Sequence, residues 1–496
     1  MSYAMLKPRP LPLPTKAIRL LLPLLTCAAS TALGQATNNP FPNAITAGIT
    51  VPVVDFATFP NSNNAKPRLN STALTPDGRS FVVDENGPVY SLSPTGVPTQ
   101  YLNIASLGLG YRSGTGEEGV ATVAFHPQFT QVGTPGYGKF YTAFSTDTSA
   151  TTPDSSVSAT RHHDEVVYEF TAANPLAGTF TPAGGTSPRE VLRLARPASN
   201  HNGGQLAFNP NAAPGSPDYG KLYIGTGDSG NGGDPQNAGQ TNSVLQGKVL
   251  RVDPLGTGGG STGTKYGVPA DNVFAADGNV NTRGEIYATG FRNPQRFSWD
   301  KGGTQKMYLG DVGQGVVEEV DVIVNGGNYG WVAREGSFVY LNTSQVRPIT
   351  ASDTGNFINP IAEYDHGEGN AAISGGFVYR GTQIPGLTGK YVFGDLQSGK
   401  IFYIDADLTA GGQAAIRELF LTEDGVTPLR LLQIINLTPG VTATRADLRL
   451  GQDAAGNLLI LNKQDGIARV LVPEPASLAL AGLAGVALLR RRAAAR

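Results

Sequence analysis

One short pattern returns six times along this chain and leaves few ways to fold it. "GRSFV" begins at residue 78, "GKFYT" at 138, "GKLYI" at 220, "QKMYL" at 305, "GKYVF" at 389 and "GNLLI" at 456. Each opens on a turn residue, continues with a polar one and runs into β-prone apolar positions. The intervals are 60, 82, 85, 84 and 67 residues. Several runs pass through a turn into a second strand, as in "GKYVFGDLQSGKIFYID". No sustained helical periodicity appears between residues 50 and 470. The 64 glycines and 35 prolines are spread evenly, as many tight turns require. A hairpin unit repeated in this way predicts an all-β fold, a six-bladed propeller over residues 50–470. A pair of β-sandwiches is the competing arrangement. Intervals near 80 residues exceed one four-stranded blade, so insertions are expected.

The two ends read as addresses. Lys7, Arg9, Lys16 and Arg19 precede the apolar "LLLPLLTCAASTAL", and "ALGQA" supplies small residues near Gly34, so residues 1–34 are expected to be a secretory signal peptide. Cleavage there would remove Cys27, the one cysteine, and leave the exported part without a disulfide. A lipoprotein reading needs a small residue before Cys27, and Thr26 fits it poorly. Residues 472–496, "VPEPASLALAGLAGVALLRRRAAAR", combine a Val-Pro-Glu-Pro tetrapeptide, a short apolar stretch and three consecutive arginines. The apolar part, expected to be a short helix, is too short for a comfortable span. This tail resembles the PEP-CTERM sorting signal of Gram-negative bacteria, which implies processing by an exosortase-type enzyme during export. It also implies transient membrane association through the tail, and a periplasmic, cell-surface or matrix location. A simple weak anchor is the alternative.

Charge narrows the partners. Eight of the 37 Lys and Arg residues sit in the two ends, as does Glu474, which leaves 29 basic residues between them against 38 Asp and Glu. A middle near −10 has no basic footprint for nucleic acid and no pull toward anionic lipid.

The unusual polar clusters fall in the segments next to the repeats, where a propeller gathers its sites. In "NHNGGQLAF", His201 is either a turn residue or a general base for an alcohol proton. Asp228, one strand later, could orient it, and Gly203 with Gly204 would allow a flat ligand close to the backbone. "DSGNGGD" resembles an acidic calcium loop with Asp228, Asn231 and Asp234 as donors, although it lacks a terminal bidentate glutamate. In "DVGQGVVEEV" the glycines could offer carbonyls to a hard cation, while Glu318 and Glu319 flank a strand. "GFRNPQRFSW" places Arg292 and Asn293 on a turn suited to gripping a carboxylate or quinone oxygen. Tyr329 and Trp331 are either core or a stacking platform. His126 is expected to close a turn, His162 and His163 to lie in a polar insertion, and His366 in a surface loop.

Together these stretches, with "GEEGVATVAFHPQF" and "SGGFVYRG", resemble the soluble quinoprotein glucose/sorbosone dehydrogenase family from about residue 50 to 465. The resemblance implies a propeller that binds pyrroloquinoline quinone and calcium and oxidises a sugar by hydride transfer to the quinone. His201 matches the general base, Asp228 its partner, and Arg292 and Asn293 the quinone-binding pair, with Arg292 near the reactive carbonyl. Glu117 matches a further quinone contact, and Arg380 and Arg445 match cations for the cofactor's carboxylates. Gly313 and Gln314 match the backbone carbonyls that hold calcium. The pattern departs in two places: the glycine-rich "SGNGGD" replaces a glutamine after Asp228, and "TATRADLRLG" lacks the usual arginine pair, with Arg449 out of register. Hedgehog-interacting proteins of animals share the motif set, so a non-catalytic surface propeller binding carbohydrate or protein is the second functional expectation. A lactonase-type hydrolase is the third.

Overall fold

In the computed structural model, residues 34–474 are described, apart from 63–64, 115, 159, 261 and 409–412. The expected signal peptide, Cys27 and nearly all of the expected sorting tail lie outside the described residues. Within them the fold is nearly all-β, with a single five-residue α-helix at Leu431–Ile435 and four 3-10 turns. No helix among them is long and apolar enough to cross a membrane.

Five of the six repeats lie in the second strand of a four-stranded antiparallel unit. The first unit is Leu69–Leu74, Ser80–Asp84, Pro88–Leu92 and Pro98–Asn103. Val120–Phe125, Lys139–Thr146, His163–Thr171 and Arg189–Arg196 make the second. Leu206–Phe208, Leu222–Thr226, Lys248–Val252 and Ile286–Thr289 follow as the third. The fourth is Pro294–Trp299, Met307–Asp311, Val317–Ile323 and Ala362–Asp365. Its last connection carries an inserted three-stranded sheet, Arg334–Glu335, Phe338–Asn342 and Gln345–Arg347.

The remaining strands form one eight-stranded sheet, joined by the long strand Thr46–Thr58. Its first half pairs in parallel with Arg417–Thr422, which ends the set Ile373–Val378, Lys390–Asp395, Ile401–Asp405. Its second half pairs antiparallel with Ile467–Leu471, beside Leu458–Leu461 and Arg449–Gln452. One strand near the chain's start thus staples strands from its end.

Apolar residues of adjacent sheets bury one another. Phe81, Tyr101, Phe125 and Phe140 fill the space between the first and second units, and Tyr223, Phe297, Trp299 and Leu309 that between the third and fourth. Leu69 and Tyr90 of the first unit pack on Leu459 and Leu461 near the chain's end.

The first strand of each unit is an edge whose backbone groups need partners. Polar side chains of neighbouring first strands supply them. Asn70 donates to the Val120 and Ala121 carbonyls, Thr122 bonds Gly204 and Leu206, Ser298 donates to Gly376, and Gln452 pairs with Thr72 and Val378. Starts meet starts and ends meet ends, so these strands run the same way. The segments that lead into them therefore gather at one end.

Candidate active site

At that end the geometry starts from His201. Its Nδ1 lies 2.6 Å from Asp228 Oδ1, and both residues are buried, at 4% and 1% exposure. His201 sits in the left-handed region, φ 56°, a conformation that turns the chain back ahead of Leu206–Phe208. The turn is close-packed against the segment that follows Leu222–Thr226: a Cβ on Gly227 would stand 2.1 Å from the His201 carbonyl oxygen. Gly203 is equally confined, since a Cβ there would meet the Gly225 carbonyl at 2.6 Å. Glycine at both positions lets two strand ends come together and present the dyad.

Asp228 is held on both oxygens. Gly230 N–H donates to Oδ1 at 2.8 Å and Trp331 Nε1–H to Oδ2 at 2.8 Å. Burial pushes its carboxyl up, but the His201 imidazole and the Arg292 guanidinium outweigh burial and hold it below the usual carboxylate range. An ionised carboxylate accepts the Nδ1–H of a neutral imidazole, which leaves Nε2 as the basic nitrogen.

Arg292 closes another side. Its Nε donates to Gln314 Oε1 and its Nη1 to the Val312 carbonyl, and its guanidinium carbon lies 5.8 Å from the Trp331 ring centre. Trp331 thereby touches both partners of the site. Backbone N–H groups of Arg292 and Asn293 donate to Asp311, whose carboxyl burial pushes up to about 7 against the pull of those donors. Asn293 Nδ2 donates to Glu117 Oε1, and Asn202 N–H to Glu117 Oε2, so Glu117 ties the His201 turn to the Arg292 turn. Arg196 holds the carbonyls of Gly227 and Asn202 from beneath.

The structure thus brings together His201, Asp228, Arg292, Asn293, Glu117 and Gln314. Three other residues lie differently from the sequence expectation. Arg380 is at the opposite end: it pairs with Asp300, which follows Trp299. Strand Pro294–Trp299 separates that pair from Asn293 by about 20 Å at strand rise. Arg445, half exposed, pairs with Asp447 in the segment before Arg449–Gln452. Arg449 is instead the buried cation, and its charge is felt with those of Arg296, Glu85 and Glu117.

The glycine-rich loop does not present its carboxylates as an open cation site. Asp234 accepts from Ala238 and Gly239 N–H, Asp228 is spent as described, and the buried Lys248 ammonium takes the Ala238, Gly239 and Gln246 carbonyls. The turn at Gly313 and Gln314 differs. Gly313 N–H donates to Glu318, and the N–H groups of Gly315, Val316 and Val317 all donate to Glu335 Oε1. With four of its N–H groups turned to carboxylates, this turn has carbonyls to offer a hard cation.

Sequence reasoning passed over Asn202, Arg196 and Asp311, and left Trp331 undecided. Tyr329 is core, stacked on Phe291 with its hydroxyl on the Val322 carbonyl. His126 closes its turn by accepting from Gln128 N–H, and His366 is part-buried against Glu318. His163 is a correction: it is fully buried, the first residue of its strand, and not part of a polar insertion.

Comparison with known proteins gives the family and the fold. The Glucose / Sorbosone dehydrogenase family model matches residues 67–430, and the PEP-CTERM protein-sorting motif matches residues 471–493, which indicates export to the cell envelope or surface. HIPL1 protein of Arabidopsis thaliana is 30% identical over 399 residues, covering 73% of this chain and 54% of that protein. Hedgehog-interacting protein of Mus musculus is 27% identical over 323 residues, 64% of this chain and 39% of that one. The chain thus spans about half or less of the length of these curated relatives. Among solved structures, the apo-form aldose sugar dehydrogenase of Escherichia coli superposes with a TM-score of 0.58 at 18% identity, covering 85% of this chain and 99% of that one. The PQQ-bound aldose sugar dehydrogenase of Streptomyces coelicolor does so with a TM-score of 0.53 at 21% identity, covering 86% and 100%. Those two likenesses show the β-propeller sugar dehydrogenase fold. By the match over residues 67–430, the chain belongs to the glucose/sorbosone dehydrogenase family.

Proposed function

We propose that this chain is an exported sugar dehydrogenase that uses pyrroloquinoline quinone and calcium, with His201 as general base. The observation that carries this reading is the buried His201–Asp228 pair at 2.6 Å, with Arg292 beside it over Trp331. Asp228 fixes the tautomer and stabilises the imidazolium as His201 Nε2 takes the proton of the sugar hydroxyl. The residues present fit a flat cofactor rich in oxygens. Around the dyad, Asn293 Oδ1 is buried without a hydrogen-bond partner, and Arg292 adds a cation. Arg292 and Asn293 would hold the quinone edge, Glu117 would fix Asn202 and Asn293 against it, and Gly313 and Gln314 would offer carbonyls to calcium. When bound, the cofactor supplies a hydride acceptor. Arg449 is the better placed cation for a carboxylate than Arg380, with Arg445 nearer the rim.

The same reading includes six blades, counted as the four four-stranded units plus the two halves of the eight-stranded sheet split at Thr46–Thr58. It includes a signal peptide over 1–34, a propeller over 50–470 and an exosortase-processed tail over 472–496, in the periplasm, on the surface or in the matrix of a Gram-negative cell. The test is to add pyrroloquinoline quinone and Ca2+ to the purified protein and follow the bound-quinone spectrum and glucose-dependent dye reduction. Absence of quinone uptake refutes the proposal. A second reading, a surface propeller that binds protein or carbohydrate without catalysis, is favoured by the similarity to a protein named for an interaction with hedgehog. It predicts quinone-free protein and no dye reduction.

A further inference from the structure

Beside the candidate active site, three side chains from two separate segments converge without any role in the chemistry above. Glu118 directly follows Glu117 in the segment leading into Val120–Phe125. His162 and His163 end the long connection from Lys139–Thr146 and begin the next strand. The Nδ1 atoms of the two imidazoles are 3.2 Å apart. Glu118 Oε1 lies 3.4 Å from His162 Nδ1 and 3.7 Å from His163 Nδ1. The rings stand at 90° to one another, so the two nitrogens approach without the rings stacking.

Those three distances match the spacing of ligands around a small metal ion. A circle through the three ligand atoms has a radius of about 2.0 Å, and zinc bonds to imidazole nitrogen and carboxylate oxygen measure about 2.0–2.2 Å. An ion of that size, seated close to the plane of the three atoms, would reach all of them with little rearrangement and keep an open side for water. The donor set is two imidazoles and one carboxylate, which suits zinc and its transition-metal neighbours; calcium and magnesium prefer all-oxygen ligands. Without an ion, one of the two Nδ1 atoms must donate to the other; with an ion, both lone pairs turn to it.

We propose that Glu118, His162 and His163 form a binding site for a divalent transition metal of the zinc class, separate from the cofactor site and on its wall. The surroundings supply an outer shell. Arg112 Nε donates to Glu118 Oε1 at 2.8 Å, its Nη1 reaches Asp147, and its Nη2 lies 3.4 Å from His162 Nε2. The carboxylate is thereby oriented, as outer partners orient metal ligands elsewhere. His163 is wholly buried and His162 is 39% exposed, so an ion can enter from the His162 side. Asn202, next to His201, interacts with the His163 ring. Metal would clasp the 147–162 connection to the residue beside Glu117, and so stiffen one wall of the site.

Cobalt(II) is the probe, since its visible d–d bands report a low-coordinate nitrogen and oxygen site. The full exported chain, free of any histidine tag and kept in excess Ca2+ to fill oxygen-only sites, is titrated with Co2+. The expected result is one Co2+ per chain, displaced by Zn2+ and not by Mg2+, with the bands lost or binding weakened at least about tenfold in His162→Ala and Glu118→Gln. A rise in the thermal midpoint on adding Zn2+ to the parent, absent in His162→Ala, supports the same conclusion. His162 is exposed, so its alanine variant folds and decides the matter even where Glu118→Gln does not. If no saturable Co2+ spectrum appears, or if it survives unchanged in His162→Ala, the trio is an ion-pair cluster organised by Arg112 and the proposal fails.

Discussion

Replacing Asp228 with asparagine changes one atom and gives that atom no acceptable position. Both carboxylate oxygens accept hydrogen bonds: Oδ1 from His201 and Gly230 N–H, Oδ2 from Trp331 Nε1–H. If the new amide nitrogen takes the Oδ2 position, it faces the indole N–H donor at 2.8 Å. If the amide flips, the nitrogen faces Gly230 N–H and His201 Nδ1, and the imidazole must move its proton to Nε2, where the base is needed. Either arrangement leaves a buried donor unsatisfied, which costs about 1–3 kcal/mol of stability. The catalytic loss is larger, because a carboxylate-to-amide change in this position of a His dyad removes about 10^3–10^4 of the rate, or about 4–5.5 kcal/mol at the barrier. Quinone contacts at Arg292 and Asn293 are untouched. The assay is dye reduction with saturating sugar in quinone- and calcium-loaded protein, with the bound-quinone spectrum and the thermal midpoint measured on the same sample. Expected are near-parental quinone binding, a midpoint lower by a few degrees, and kcat down by three to four orders of magnitude. If Asp228→Asn keeps more than a tenth of kcat with quinone bound, His201 does not depend on Asp228 as argued and the dyad is structural.

Trp331→Phe removes one of the three donors to Asp228 while keeping an aromatic face under Arg292; kcat should fall about tenfold, in line with losing one buried hydrogen bond, with quinone uptake retained. Gly227→Ala puts a Cβ 2.1 Å from the His201 carbonyl, so soluble yield or kcat should collapse, and normal values for both would contradict the packing described. Arg380→Gln breaks a pair at the far end of its strand from Asn293; quinone affinity should stay within about twofold of the parent, and a large loss would mean that Arg380 reaches the cofactor after all. Glu165 carries a pH signature: burial lifts its carboxyl to about 8 despite Arg196. Between the ordinary carboxylate value and pH 8 the folded protein therefore holds a proton that the unfolded chain releases, so this residue's share of stability falls as pH rises through that window. Glu165→Gln, permanently neutral, should flatten the decline in denaturation midpoint between pH 5 and 8, by up to a few kcal/mol; identical slopes in both proteins would refute the protonated assignment.

What could be read in the sequence divides along a physical line. The recurring turn-polar-apolar runs are local signals, and strands begin where they predict, at Ser80, Lys139, Leu222, Met307, Lys390 and Leu458. His201 and Asp228 were also reachable, because a single hairpin, Leu206–Phe208 with Leu222–Thr226, separates them and both lie near glycines that a close approach requires. Arg380 shows where such reasoning runs out. It is two residues past Val378, the last residue of a strand that begins at Ile373, and nothing local says at which end of a strand a site will stand. That is decided only when the first strands are seen to run the same way, which puts the segments before Val120, Leu206 and Pro294 together and sends Arg380 to the other end. Arg445 and Arg449 make the same point over four residues: the first is half exposed, while the second enters the strand and is buried where it feels the charges of Arg296 and Glu117. Partners distant in sequence are less legible again. Trp331 reaches Asp228 across 103 positions, and its indole nitrogen is chemically the same whether the ring is core filler or a ligand of the dyad. Glu118 and the two histidines are separated by more than forty residues, and the chain gives no sign that their nitrogens and oxygen meet. Hydrophobic spacing writes strands into a sequence because each strand must bury one face; a site is written only by the order in which strands pack. The wall between the dyad and the Glu118–His162–His163 cluster is built from that packing alone, through Asn202, which touches Glu117 by its backbone and the His163 ring by its side chain.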